Sequence, residues 1–292
     1  MFQKFYQKAC DSLLPQTLYV VATPIGNLAD ITLRALAVLS KADVVCAEDT
    51  RVTAQLLAAY GIQARLLSVR EHNERQMAEK VIAALAEGKI VAQVSDAGTP
   101  AVCDPGARLV ESVREAGFAV VPVMGASAVM AALSVAGIAD STFYFAGFLP
   151  AKAGERQKRL AQWQEADFPV VMFETPHRIA ATLSDMQTLF PGRRLMLGRE
   201  ISKTFETFLS GTADELAARL QADSNQSRGE MVLVLHPAAQ READGLPPEA
   251  QQVMKILAAE LPTKQAAELA AKISGANKKA LYDLALEWKK TS

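Results

Sequence analysis

The first 140 residues alternate between short apolar runs and stretches with helical periodicity. The apolar runs are LYVVA (18–22), DVVCA (43–47), ARLLSV (64–69), KIVAQV (89–94) and AVVPV (119–123). Runs of this length that are rich in β-branched residues predict buried strands. Several of the stretches between them stop at a glycine (Gly61, Gly88, Gly117), where helices commonly end. This strand–helix alternation predicts an α/β fold with a doubly wound parallel sheet and helices on both faces.

The pattern changes after residue 146. The segment GFLPAKAGERQKRL (147–160) combines glycine and proline with four basic residues, which predicts a linker or an exposed basic loop. Apolar runs at 169–175, 193–201, 205–211 and 230–236 then follow one another with few helices between them, which predicts a mixed second sheet. Short amphipathic segments near the end predict a small helical tail. We expect three domains, at residues 1–140, 141–238 and 239–292.

Composition narrows the class of protein. A net charge of −1 and a pI near 6.4 exclude a uniformly basic surface, so any contact with nucleic acid needs local patches. The cysteines, Cys10, Cys46 and Cys103, lie far apart, which argues against a disulfide scaffold and against a zinc site. The apolar stretch at 119–139 is broken by Pro122 and Gly125 and predicts a strand, turn and helix. With no signal-peptide pattern at the amino terminus, we expect a cytoplasmic protein that binds no metal.

Ligands of doubly wound sheets bind beyond the carboxyl ends of the strands. The segments in these places are TPIGN (23–27), AEDTR (47–51), REHNE (70–74), SDAGTPAVCDPG (95–106) and MGASA (124–128). All are small, polar or glycine-containing between strongly apolar flanks. None matches GxGxxG or GxxxxGK[ST], which disfavours an ordinary nicotinamide enzyme and a P-loop NTPase.

The segment AEDTR has two interpretations. Asp49 or Thr50 can cap the next helix, because a side-chain oxygen there accepts a backbone N–H. Capping explains one acid well, but it explains Glu48, Asp49 and Arg51 together less well. A carboxylate at this position can serve as a general base, and an arginine can bind phosphate or orient the acid.

The other segments leave similar alternatives open. In SDAGTP, Asp96 can accept hydrogen bonds from a ligand, and Gly98 lets the backbone approach it closely. Ser127 suits either a helix N-cap or an anion site at a helix start. In FETPHR (173–178), Thr175 and Pro176 predict an N-cap and first helical residue, which leaves Glu174 unexplained.

Taken in order, TPIGNLADIT, AEDTR, HNE, VSDAGTP with its following DPG, MGASA, ETPHR and GEMVLVL resemble the tetrapyrrole methylase superfamily. More closely, they resemble its branch of small-subunit (16S) ribosomal RNA ribose 2′-O-methyltransferases. The match runs from about Leu18 to His236, and the tail resembles that branch's small helical domain. The resemblance implies S-adenosylmethionine bound in a cleft between two α/β domains, usually in a homodimer. It also implies that the substrate is the 2′-hydroxyl of a cytidine in the decoding region.

The family's pattern implies cofactor contacts at Pro24, Ile25, Gly98, Thr99, Pro100, Val102, Ser127, Ala128, Met172 or Phe173, and Met231. Asp96 is added because its carboxylate can accept hydrogen bonds from the ligand. The catalytic candidates come from the clustered polar residues at the strand ends. A ribose hydroxyl is a poor nucleophile, so a base or a pKa-lowering cation should assist it. The candidates are Glu48 or Asp49 as the base, with Arg51 orienting the acid or a phosphate and Glu174 in reserve.

The RNA must be bound by patches of basic residues. The candidates are Lys152, Arg156, Lys158 and Arg159, the pair Arg193–Arg194, and the pair Lys278–Lys279 in the tail. Two other functions stay open: methylation of a porphyrinoid or a protein side chain, and a non-enzymatic RNA-binding assembly factor that keeps a relic cofactor pocket.

Overall fold

The computed structural model describes residues 2–139, 141–238 and 246–291. The chain divides into two compact units, Met1–Ala238 and Ala239–Ser292. The first unit holds two five-stranded sheets and the second is helical. The domain boundaries expected from the sequence remain predictions.

The first sheet is parallel throughout, as the sequence predicts. After helix α1 (Phe2–Asp11) its strands are β1 (Thr17–Val21), β2 (Val44–Ala47), β3 (Leu66–Ser68), β4 (Ile90–Val94) and β5 (Ala119–Val123), in the order β3-β2-β4-β1-β5. The helices are α2 (Leu33–Lys41), α3 (Thr50–Ala59), α4 (Glu74–Ala86), α5 (Ala107–Glu115) and α6 (Ala128–Val135). Neighbouring residues of β1, Leu18 and Tyr19, belong to different apolar clusters. Both faces of the sheet are therefore buried, which explains the continuous apolar runs in the sequence.

The second sheet is mixed, also as predicted. Its strands are β6 (Tyr144–Phe148), β7 (Val170–Glu174), β8 (Leu195–Arg199), β9 (Thr207–Gly211) and β10 (Met231–Leu235), in the order β6-β7-β10-β8-β9. The pair β6–β7 is parallel and the other three pairs are antiparallel. Helices α7 (Ala153–Ala161), α8 (Ile179–Leu189) and α9 (Ala213–Ala222) complete this part of the chain.

The expected linker at 147–160 is wrong, because these residues contain the end of β6 and helix α7. The helix buries Leu160 completely, and it buries Arg156 by pairing it with Asp185 (Nε to Oδ2, 2.6 Å). Lys158 is exposed and Arg159 is partly exposed, so the sequence of α7 resembles a polar loop although one face of the helix is buried. The amphipathic spacing of Arg156 and Leu160, four residues apart, is the helical signal.

The predicted start of helix α8 is also wrong. Its first helical residue is Ile179 rather than Pro176, and Thr175 does not cap it. Instead, the Thr175 carbonyl accepts the N–H groups of Arg178 and Ile179, both at 3.0 Å. Thr175 and Pro176 therefore form a turn that precedes the helix.

The second unit consists of α10 (Pro248–Glu260), α11 (Thr263–Ser274) and α12 (Lys278–Thr291). They enclose an apolar core of Ala250, Met254, Ala266, Ala267, Ala270, Leu281 and Ala285. Gly275 ends α11 with a left-handed φ of 71°, which favours glycine. Of the candidate RNA-binding pair in this unit, Lys278 contacts Glu268 at 2.9 Å and Lys279 is exposed. Across the described residues, no helix is long and apolar enough to cross a membrane.

Candidate active site

A cavity of about 570 Å³ lies between the carboxyl edge of the first sheet and the second sheet. Cavities of this size hold small-molecule ligands and cofactors. The first sheet and its loops contribute Ile25, Ala97, Gly98, Thr99, Val102, Cys103, Asp104, Ser127, Ala128 and Val129. The second sheet and its loops contribute Phe148, Phe173, Glu174, Thr175, Pro176, Glu200, Ile201, Lys203, Gly229, Glu230, Met231 and Val232.

Eight of the residues expected to bind the cofactor line this cavity. They are Ile25, Gly98, Thr99, Val102, Ser127, Ala128, Phe173 and Met231. Pro24, Asp96, Pro100 and Met172 do not line it. Met172 is fully buried in the apolar cluster on the other face of the second sheet, because side chains alternate along β7. The contacts of all twelve residues with a cofactor remain predictions.

The loop after β4 follows an unusual backbone path against the loop after β1. Thr23 and Gly98 exchange two hydrogen bonds, of 2.9 and 3.1 Å, and form an isolated antiparallel bridge. Ala101 and Cys103 have φ values of 64° and 65°, in the left-handed region that residues with a side chain seldom adopt. Such conformations cluster at ligand-binding sites, where the surrounding structure holds them in place.

The far end of this loop is anchored by Glu74 from the HNE segment. Its buried carboxylate accepts hydrogen bonds from the N–H groups of Arg108 (2.9 Å) and Leu109 (3.3 Å) at the start of α5. Helix α5 needs this external cap because its own N-cap residue is Gly106. A Cβ on Gly106 would lie 1.5 Å from Nε2 of Gln93. This role of Glu74 is not predicted by its local sequence, since its partners lie 34 and 35 residues away.

A bulge in β6 forms the aromatic wall of the cavity. The register of β6 against β7 shifts between Phe145 and Gly147, and Gly147 has a φ of 64°. The rings of Phe145 and Phe148 consequently both lie against Phe173, with centroids 5.1 and 5.4 Å away. Phe148 and Phe173 line the cavity, so this wall suits a planar ring.

The acids of the AEDTR segment lie outside the cavity lining and differ in environment. The Asp49 carboxylate caps α3 through the N–H of Arg51 (2.8 Å) and pairs with the Arg51 guanidinium (2.5 Å), which holds its pKa well below the usual range. The capping interpretation of Asp49 is therefore confirmed.

For Glu48, burial raises the pKa, and the nearby Asp96 and Asp104 carboxylates raise it further. Glu48 is the better candidate for a general base, because a raised pKa brings a carboxylate nearer to the operating pH.

The reserve candidate Glu174 lines the cavity, but its carboxylate is fully engaged. It accepts hydrogen bonds from the Thr175 N–H (2.9 Å) and from the Thr182 hydroxyl (2.6 Å). Nε of Arg178 lies 3.3 Å from Oε1, the oxygen that also accepts the Thr175 N–H. A structural role accounts for these contacts.

Two of the predicted RNA-binding arginines are committed to the fold. Arg156 is buried against Asp185, and Arg193 donates hydrogen bonds to four backbone carbonyls at 2.7–2.9 Å. Neither guanidinium is available to a phosphate. Lys152 and Lys158 are exposed and remain candidates. Arg159 is partly exposed, and its guanidinium lies over the rings of Tyr144 and Trp163. These contacts leave less of the guanidinium free to contact RNA.

A parallel sheet and a mixed sheet together enclose a cavity of the size that small-molecule ligands and cofactors occupy. The sequence matches the tetrapyrrole (corrin/porphyrin) methylases over residues 17–217 and the RsmI C-terminal HTH domain over residues 244–289. The chain belongs to the tetrapyrrole methylase family, which confirms the resemblance seen in its motifs.

Individual relatives agree with this assignment. The chain is 73% identical, over 99% of both chains, to a protein of Neisseria meningitidis serogroup B named ribosomal RNA small subunit methyltransferase I. It is 47% identical to a protein of the same name from Escherichia coli O157:H7, over 92% of this chain and 94% of the relative. The fold is similar to that of a cobalt precorrin-4 methyltransferase (TM-score 0.57, 18% identity, 76% of this chain and 95% of that chain).

The chain is accordingly a methyltransferase that uses S-adenosylmethionine. The cavity fits this group in three respects: its size, its aromatic wall for a planar base, and its charge. Its charged lining residues are Asp104, Glu174, Glu200, Glu230 and Lys203, so carboxylates are in excess. An excess of carboxylates favours a donor that carries a sulfonium and an ammonium group.

Proposed function

We propose that the chain methylates the ribose 2′-hydroxyl of a cytidine in the decoding region of small-subunit (16S) ribosomal RNA. The observation that carries the proposal is the 73% identity, over 99% of both chains, to a protein named for methylating small-subunit ribosomal RNA. The ribose hydroxyl and the cytidine follow from the motif resemblance. A ribosomal substrate also supports the expected cytoplasmic location.

The reaction is an in-line displacement, for which S-adenosylmethionine supplies an electrophilic methyl group when bound. The phenylalanine wall and the loop at Gly98 hold the donor, and accurate positioning of two reactants can lower a barrier by roughly 7–11 kcal/mol. Glu48 accepts the proton of the hydroxyl as the oxygen–methyl bond forms. Bound S-adenosylmethionine would supply the methyl group, and its sulfur would keep the electron pair of the broken carbon–sulfur bond.

The proposal is tested by incubating the purified protein with S-adenosylmethionine and either 30S subunits or naked 16S RNA from a deletion strain. Ribose methylation is then mapped by nucleotide. Methylation of one decoding-region cytidine is expected. Methylation of a base or of a ribosomal protein, or activity confined to a porphyrinoid, would contradict the proposal. Binding of S-adenosylmethionine without transfer would favour the assembly-factor alternative.

The RNA path is expected to include Lys152 and Lys158. Replacing both with glutamine should weaken RNA binding and lower the slope of log affinity against log salt by about 1–2, because about 0.7 counterions are released per phosphate contact on a single strand. The matched control replaces Lys41 and Lys89, which precede β2 and β4 at the opposite edge of the first sheet. Filter binding at several salt concentrations measures the affinity and the salt slope of each double variant. Equal slopes for the two double variants would exclude Lys152 and Lys158 from the RNA-binding surface.

A homodimer is the expected assembly. Helix α6 buries Val129 and Ala132, yet Met130 and Val135 on the same helix are 56% and 53% exposed. A helix that is apolar on all sides is normally covered on all sides, and a second copy would cover this one. Light scattering should give a molar mass twice the 31.4 kDa of one chain. Met130→Glu should lower this mass to that of the monomer, because it puts a charge on the apolar face, and Met130→Leu should leave it unchanged. A monomeric wild-type protein would rule out this assembly.

A further inference from the structure

The loop after β8 presents a lysine to the cavity. Among the described residues that line the cavity, Lys203 is the only one with a cationic side chain. Its Nζ donates hydrogen bonds to Glu200 Oε1 (2.9 Å) and Glu230 Oε2 (3.1 Å). An ammonium has three N–H donors, so one remains for a ligand.

The surrounding backbone is arranged to hold this side chain. Glu200 and Ser202 have left-handed φ values of 50° and 68°. A Cβ on Gly26 would lie 2.3 Å from Lys203 Cγ, and a Cβ on Gly229 would lie 2.3 Å from the Glu200 carboxyl carbon. The stem of Lys203 therefore packs directly on the first-sheet loop that carries the TPIGN segment.

The two glutamates determine what Lys203 can bind. Together the three side chains carry a net charge of −1, which opposes a fully charged group such as a carboxylate or a phosphate more strongly than a hydroxyl whose oxygen gains only partial charge beside Nζ. A neutral hydroxyl can accept the remaining N–H. Burial opposes the charge of Lys203, but the hydrogen bonds with Glu200 and Glu230 raise its pKa, so at neutral pH it acts as a donor and not as a base.

We propose that Lys203 donates a hydrogen bond to the acceptor hydroxyl and stabilises the negative charge that develops on its oxygen during methyl transfer. This inference rests on the proposed function and names a catalytic residue for it. Lys203 keeps its proton throughout, whereas the hydroxyl proton leaves to the general base. Interactions that strengthen as charge develops raise the rate constant rather than ground-state affinity.

The test compares Lys203→Met with the wild type and with the control Lys89→Gln. Lys89 is also paired with a glutamate (Glu87, 2.5 Å), but it precedes β4 at the opposite edge of the sheet. We expect Lys203→Met to lower kcat by about 10²–10³-fold, the usual effect of removing one such donor. The Kd for S-adenosylmethionine and the KM for 30S subunits should stay within threefold, and Lys89→Gln should match the wild type.

Two further readouts separate catalysis from structure. In Lys203→Ala, added methylammonium should restore part of kcat, which a misfolded protein would not show. In Lys203→Met, the plateau of the pH profile should fall while the midpoint of its acidic limb stays in place, because the lysine stabilises the developing charge and does not accept the proton.

The contrary outcomes are distinct. A kcat within twofold of the wild type overturns the assignment. A loss confined to the Kd for S-adenosylmethionine would assign Lys203 to the donor's carboxylate, and a salt-dependent loss confined to the KM would assign it to a phosphate; either overturns the proposal. A wild-type protein that methylates no small-subunit RNA would overturn the proposed function as well.

Discussion

Glu48→Gln is expected to lower kcat for ribose methylation by about 10²–10⁴-fold, the usual contribution of a positioned general base. The variant keeps the size of the side chain but cannot accept the proton. Asp49→Asn should cost far less, because asparagine also caps helices well and the Asp49 carboxylate is already paired with Arg51. Single-turnover kinetics at saturating S-adenosylmethionine measures both variants against the wild type.

The pH dependence gives a second check on Glu48. Burial and the Asp96 and Asp104 carboxylates raise its pKa, so the base becomes protonated at a higher pH than an ordinary glutamate. The wild-type rate should therefore fall as the pH decreases through this raised pKa, and Glu48→Gln should lack that acidic limb. Wild-type rates in Glu48→Gln, or a larger loss in Asp49→Asn, would remove Glu48 from the mechanism.

Much of the fold could be predicted because its signals are local. The apolar runs of the first sheet are visible in short windows, and the loops at their carboxyl ends supply ten of the 22 described residues that line the cavity. Ile25, Gly98 and Ser127 were found this way. Strand-end position alone did not show that the acids of AEDTR lie outside the lining, since that depends on how the loops fold over one another.

The residues that were missed depend on contacts distant in sequence. Glu74 acts on a helix that begins 33 residues later, and Phe148 reaches the cavity through a bulge that shifts the register of its strand. Lys203 is placed by packing on Gly26. Residues 200–203 do follow strand β8 directly, so strand-end position in the second sheet is a sequence signal for this lysine.

Glu174→Ala is expected to destabilise the protein by about 3 kcal/mol, the low end of the cost of breaking a buried ion pair from one side, because the Arg178 side chain is 24% exposed. The side chain is buried, and its removal leaves the Thr182 hydroxyl without its acceptor and Arg178 without its carboxylate. Glu174→Gln keeps a hydrogen-bond acceptor and should cost about 1–3 kcal/mol. The shift in the urea midpoint at constant m-value measures both.

These stabilities also decide the role of Glu174 in the reaction. If it is structural, Glu174→Gln should keep most of kcat at a temperature where it is fully folded, and Glu174→Ala should lose activity only as it unfolds. The matched control is Thr182→Val, which removes the same hydrogen bond from the other side and leaves the carboxylate in place. The contrary result is a folded Glu174→Gln that loses kcat 10²-fold or more while Thr182→Val stays active. It would make Glu174 the base, because the loss of activity would then follow the carboxylate and not its hydrogen bond with Thr182.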